Sequence, residues 1–342
     1  MTDREAMMAR NGKTAAFILG VTLLLAVLFF WGICAGSVSI TPRRVLSVFL
    51  GLEEDRAARE ILLDIRLPRI VMAFITGMML AAGGAVSQAV FGNPLADPYI
   101  IGISSGAVAG VSLAFALKFP EYLYGLFAFA GSAGAAFLIF RLSGNRDGRV
   151  RTGTILIVGV ALSAVLGAAS SLIMYLAGQD AYRIMIWTMG WLGAASWSKI
   201  AVVMVPGFLA LAYFMFHRFE LDALLSGDVE AHSLGVAVGK LKRNLLLAVS
   251  LSAAFSVALT GMIGFVGLIV PHATRLCAGN SHSRLIPLAS CAGGAFLLMA
   301  DTIARTIIAP VEIPPGIITA VFGAPFFMVL ALRSTSGNYD GT

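Results

Sequence analysis

Phosphate chemistry needs a glycine-rich cradle ending in Gly-Lys-Ser/Thr, and this chain carries only fragments of one. Gly12-Lys13-Thr14 has Met7 where the first glycine must stand. Gly239-Lys240 has Leu234 at that position and Leu241 after the lysine. The chain has no nucleotide-hydrolysing loop of its own. Four histidines, His217, His232, His272 and His282, show no metal-ligand spacing and read as loop or helix-end residues. Cys34, Cys277 and Cys291 form no Cys-x-x-Cys pair, sit in apolar surroundings and read as small core residues. No catalytic residue, metal or cofactor is expected. What remains is charge in apolar surroundings. Asp301 and Arg305 stand four apart, an ion-pair spacing on a helix, and arginines crowd positions 43–69.

The elements that position these charges follow from composition. Of 342 residues, 58% are hydrophobic and 12% charged, about half the usual charged share of a soluble domain. Mean hydropathy is +0.89. A soluble enzyme and a disordered chain are excluded, and no basic soluble domain exists to bind nucleic acid. The apolar runs are long and continuous rather than alternating, which selects helices over a barrel. The expected fold class is all-α: one polytopic membrane domain over 1–342 with about ten transmembrane helices. The spans fall at about 14–35, 68–91, 99–117, 122–141, 152–178, 199–216, 244–263, 265–278, 285–309 and 316–333. The first run resembles a signal peptide, but its length suits a retained span, and Ile33 is too large to precede a lipidated cysteine. Pro94 and Pro98 bracket the second and third spans, Pro271 is expected to interrupt the eighth, and Pro314-Pro315 precede the last. Broken helices of this kind suit a transporter. Gly102, Gly106 and Gly110 give two overlapping GxxxG spacings for close helix packing.

With the N-terminus in the cytoplasm, ten spans put both termini there. Fourteen of the 24 Lys and Arg then lie inside and ten outside. Six of those ten, Arg43, Arg44, Arg56, Arg59, Arg66 and Arg69, crowd the first external loop, near the acidic run Glu53–Asp55. The expected location is a prokaryotic plasma (inner) membrane, crossed many times.

Proton- or sodium-coupled carriers place carboxylates mid-span, and here Asp301 is the sole candidate. Energy is therefore expected from a separate subunit. Its handle would be the cytoplasmic segment 220–240, which Gly227 and Gly235 can break into short amphipathic pieces. An interfacial loop helix is the alternative.

Three blocks give a specific resemblance: LPRIVMAFITGMMLAAGGAVSQAVFGNPLADPYIIGISSGA (67–107), GMIGFVGLIVPHATRL (261–276) and LLMADTIARTIIAPVEIPPGIITAVFGAPFF (297–327). The chain resembles the permease family of type II, binding-protein-dependent ABC importers for iron-siderophores, haem and vitamin B12. GDVEAHSLGV (227–236) is similar to that family's coupling segment.

The resemblance implies a ten-helix BtuC-like permease. It would work as a homodimer in membrane lipid, with two ABC ATPase subunits inside and an extracytoplasmic substrate-binding protein outside. It would translocate an iron-chelate, haem or cobalamin. Arg66, Arg69 and Arg305 match positions that meet glutamates of the binding protein. Local pairing, Arg66 or Arg69 with Asp64 and Arg305 with Asp301, is the alternative. Asp228, Glu230, Ala231, Leu234 and Gly235 would couple to the ATPase. Asn93 and Leu95, with Thr152 and Gly153, match the cytoplasmic gate, although Asn93 could simply cap the broken backbone at Pro94. Gly153 stands where relatives carry a hydroxyl. Met185, Trp187 and Trp191 read as packing residues. The alternative from another class is an ion-coupled secondary transporter.

Overall fold

The structure is a computed structural model. It describes residues 3–36, 38–53, 55–143, 152–178 and 181–336. Among these residues every regular element is helical.

Helix α1 (Asp3–Cys34) is followed by the short α2 (Pro42–Phe49) and α3 (Arg56–Glu60). A π-type stretch, Ile61–Arg66, leads directly into α4 (Leu67–Phe91). Then come α5 (Ile103–Ala116), α6 (Tyr124–Ser143), α7 (Thr152–Ala177), the short α8 (Ala181–Thr188) and α9 (Trp197–Phe216). Two short helices, α10 (Arg218–Leu224) and α11 (Asp228–Ser233), precede α12 (Val238–Thr260), α13 (Val266–Ala278), α14 (His282–Ala304) and α15 (Pro315–Ser336). Among the described residues seven helical stretches are long and apolar enough to cross a membrane, and α5, α13 and α15 add three shorter apolar helices.

The bundle is built around α4. In the stretch Arg56–Phe91, 83% of the apolar window is buried, against 17% for the windows in α1 and α7. Small residues make that possible. Gly77 faces the Gly293 backbone of α14, and Gly84 faces Gly267 of α13. Of the three glycines with GxxxG spacing, Gly106 and Gly110 lie against the α6 backbone at Gly131 and Phe127. Gly102 serves differently, taking φ +74° to join the 3₁₀ turn Pro98–Ile101 to α5.

Two prolines act otherwise than their positions suggest. Pro68 suits a helix start, yet the helix runs through it from Arg56. The π-type stretch just before it widens the turn, with Leu67 N–H reaching back to Leu62 O. Pro271 does not interrupt α13. Proline cannot donate to the carbonyl four residues back, here Gly267. Gln88 of α4 takes over instead, its Nε2 donating to Leu268 O at 3.1 Å and Gly267 O at 3.4 Å. A side chain from the central helix thus satisfies carbonyls that lipid could not.

The acidic run beside the six-arginine loop also finds a local purpose. Arg44 pairs with Glu53 at 3.2 Å and with Asp55. Asp55 also caps α3 by accepting from Ala57 N–H, and this holds its carboxyl below the usual carboxylate range. That support for the loop is present above the ordinary carboxylate pKa and is lost on acidification through the lowered one.

A methyl group added at Gly84 would collide with the Gly267 carbonyl rather than with a flexible side chain. Gly84→Ala is expected to cost about 1–3 kcal/mol, read as a lower melting temperature of the detergent-purified chain. Gly20→Ala, where nothing lies within 4 Å, should leave melting unchanged or raise it.

Candidate functional site

The two ends of the bundle are built differently, and each gathers residues singled out by sequence.

At one end the C-terminus of α1, the N-terminus of α4 and the C-terminus of α14 meet. Helix α1 ends with carbonyls that have no partner in their own helix. Arg66 supplies donors: Nη1 reaches Ile33 O at 2.5 Å and Cys34 O at 2.9 Å, and Nη2 reaches Val38 O. Arg305 Nη2 adds a bond to Gly32 O at 2.7 Å. Arg69 grips Asp301, with Nε and Nη2 at 3.0 and 2.9 Å from Oδ1. Its Nη1 donates to Glu312 at 2.8 Å, and its guanidinium lies 5.8 Å from the Trp191 ring centre. Arg305 Nε stands 3.5 Å from Asp301 Oδ2. All three arginines are buried, at 3–5% exposure, and Asp301 is fully buried.

In the described chain Arg66 and Arg69 therefore spend donors internally, while Arg305 gives Nη2 to Gly32 O and leaves its buried Nε beside Asp301 without a hydrogen bond. Asp301, not the exposed Asp64, is the shared carboxylate. Sequence spacing pointed to Asp301 with Arg305, but Glu312 was missed. Its position in VEIPP, facing the arginine-rich end from a proline-rich loop, was the available signal. The cluster sets three guanidiniums against two carboxylates. It retains a positive charge, and Glu312, with 23% of its side chain exposed, is its accessible edge.

At the other end Gly227 (φ +115°) and Gly235 (φ +86°) bound the six-residue α11. Ala231 is fully buried in the same cluster as Leu221, Leu224 and Leu245, so it anchors the segment rather than facing outward. Val229 and Leu234 stand 79% and 72% exposed. Glu230 is exposed, and Asp228 pairs with Lys242 at 2.6 Å. Asp222 of α10, not anticipated from sequence, caps α14. Its Oδ1 accepts from His282 N–H at 2.7 Å and lies 2.7 Å from His282 Nδ1, while Oδ2 accepts from the Ser281 hydroxyl at 3.0 Å.

The gate candidates are less assembled. Gly92 ends α4 at φ +60°, and the exposed Asn93 uses Oδ1 to accept from Leu95 N–H at 2.9 Å. Leu95 is half-buried, and Gly153 is exposed at the start of α7. The Thr152 side chain lies outside the described residues. No hydrogen bond among the described residues joins 93–95 to 152–153.

Among the described residues the chain is an all-helical bundle with seven helices long and apolar enough to cross a membrane, the architecture of a multi-pass membrane protein. Residues 24–333 match the FecCD transport family, and the chain belongs to it. It is 37% identical to the hemin transport system permease protein HmuU of Yersinia pestis, over 94% of this chain and 98% of that one. It is 42% identical to the cobalamin import system permease protein BtuC of Halobacterium salinarum, over 80% and 73%. Among solved structures it is similar to a metal-chelate type ABC transporter in an inward-facing conformation. The TM-score is 0.82 at 30% identity, covering 93% of this chain and 99% of that one. The chain is an ABC transporter permease of the multi-pass membrane class.

Asp301→Asn would leave Arg69 and Arg305 buried without a carboxylate between them. About 3–5 kcal/mol of stability should be lost, seen as a large fall in melting temperature. A variant melting like the wild type would show that the cluster does not hold this end together.

Proposed function

We propose that the chain is the membrane-spanning subunit of an importer for a metal chelate, haem or corrinoid. The observation that carries it is the family membership together with the chain's two unlike ends. The arginine end faces outward and receives substrate from a binding protein. The α11 end faces the cytoplasm and meets an ATPase. The excess of Lys and Arg on the α11 side supports this orientation, with both termini inside. Two copies enclose the pathway, and two ATPase subunits power it. Binding and hydrolysis of ATP shift α11, and the helices rock so that outer and inner openings alternate. The segments at Asn93, Leu95, Thr152 and Gly153 narrow the cytoplasmic exit. An ion-coupled carrier is disfavoured because Asp301 is already held by two arginines.

The coupling role rests on α11. Asp228, Glu230, Leu234 and Gly235 form its outward surface, and buried Ala231 fixes that surface to the core. Val229 and Leu234 are the apolar knobs. Replacing both with Asp should leave the fold intact and cut co-purification of the ATPase from the native host about 10-fold or more. Undiminished ATPase recovery, by quantitative mass spectrometry of the complex, would sink the assignment.

The docking role rests on the excess positive charge. An acidic side chain of the binding protein competes with Glu312 for Arg69, while Arg66 and Arg305 hold the helix ends that present it. Glu312→Gln removes the negative charge that competes for Arg69 without touching the buried Asp301 pair. Binding-protein affinity in nanodiscs should rise several-fold at low salt and fall more steeply as salt increases. An affinity indifferent to both changes would place docking elsewhere.

A further inference from the structure

A groove opens on the side of the bundle between α6 and α12, apart from both ends just described. It encloses about 390 Å³. Phe137 and Phe140 of α6 and Leu247 and Leu251 of α12 form its walls, with Arg141 and Arg243 at one end. The helical repeat explains the arrangement. Phe137 and Arg141 are one turn apart on α6, and Arg243, Leu247 and Leu251 are successive turns of α12. Arg141 lies near the end of α6 and Arg243 near the start of α12, so the antiparallel pair brings both guanidiniums to the same level. From Arg243 to Leu251 the apolar wall runs about 12 Å along the helix.

Arg141 and Arg243 differ from the arginines of the charged cluster at the other site. Arg66, Arg69 and Arg305 are buried and bonded, and the neighbouring Lys242 is taken by Asp228. Arg141 and Arg243 are exposed, and among the described residues neither has a hydrogen bond or ion pair. Phe137 is 66% exposed, so the groove looks outward from the bundle, where the solvent is lipid. An occupant must offer an apolar chain about 12 Å long, ending in an anion at the depth of the helix ends. A free phosphate lacks the chain, and a zwitterionic lipid lacks the net charge.

We propose that the α6–α12 groove binds an anionic phospholipid, with one acyl chain between Phe137, Leu247 and Leu251 and the phosphate held by Arg141 and Arg243. Basic pockets between membrane helices bind anionic headgroups by this combination of charge and apolar contact. The site depends on the chain crossing a membrane and on neither the substrate nor the orientation.

Native mass spectrometry of the full chain, released from nanodiscs of mixed phosphatidylglycerol and phosphatidylcholine, tests it. A retained phosphatidylglycerol adduct is expected. Arg141→Gln with Arg243→Gln should weaken it about 30-fold without shifting the melting temperature. Leu251→Trp keeps both arginines but fills the groove, and should also expel the adduct. Excess inorganic phosphate should leave the adduct in place, because phosphate cannot replace the acyl chain. Equal retention of phosphatidylcholine, indifference to the arginine changes, or displacement by phosphate alone would each overturn the proposal.

Discussion

Everything at one end of this bundle converges on a single carboxylate. Asp301 is fully buried, and Arg69 and Arg305 approach it from two helices. In lipid an unpaired charge there would be costly, so the three side chains hold one another in place. The arginines extend the constraint outward. Arg305 and Arg66 cap the last carbonyls of α1, and Arg69 fixes the loop carrying Glu312. Peripheral α1, largely exposed along its length, is tied to the bundle by these backbone acceptors and by Leu28 and Ile33, which are buried in the core. The same demand appears deeper down, where Gln88 satisfies the Gly267 carbonyl that Pro271 cannot reach, and its neighbour Leu268 O. Side chains from the central helix repeatedly complete the hydrogen bonding of their neighbours.

Composition alone carried the class, because a chain with so little charge has nowhere to bury its apolar surface except in lipid. Most helices were legible as runs of apolar residues. The ends were less so. The continuous helical stretch that ends in α4 begins at Arg56, well ahead of the apolar run, because Asp55 caps α3 and a π-type turn absorbs Pro68. Pro271 looked like a break, and it is not one, because its compensation comes from a residue far away in sequence.

At the candidate sites, local spacing was readable and long-range pairing was not. Asp301 and Arg305 share a helix face, so their contact follows from the helical repeat. Arg69 meets Asp301 across the whole chain, and only the packing of α4 on α14 reveals it. The glycines of the 220–240 segment marked where it turns, yet periodicity in so short a helix could not show that Ala231 points inward while Val229 points out. Asp222 gave no signal at all, since its work is to cap a helix that starts 60 residues later.

That cap gives the proposed transport cycle its geometry. Helix α14 is one unbroken element about 35 Å long. Its first residues are held by Asp222 of α10, and its last turn carries Asp301 and Arg305. Helix α10 is continuous in sequence with α11, the segment proposed to feel the ATPase. A movement of α10 must therefore either break the bonds to Ser281 and His282 or carry α14 with it. If α14 moves, the shared carboxylate moves too, and Arg69 must follow it or lose its partner. Losing it is the expensive outcome, because both charges are buried. The cheaper course is for α4 and α14 to travel together, which their glycine-lined contact at Gly77 and Gly293 already favours. Reorganisation is then left to surfaces bound less tightly: α7, with its largely exposed face, and the turn at Gly92–Asn93.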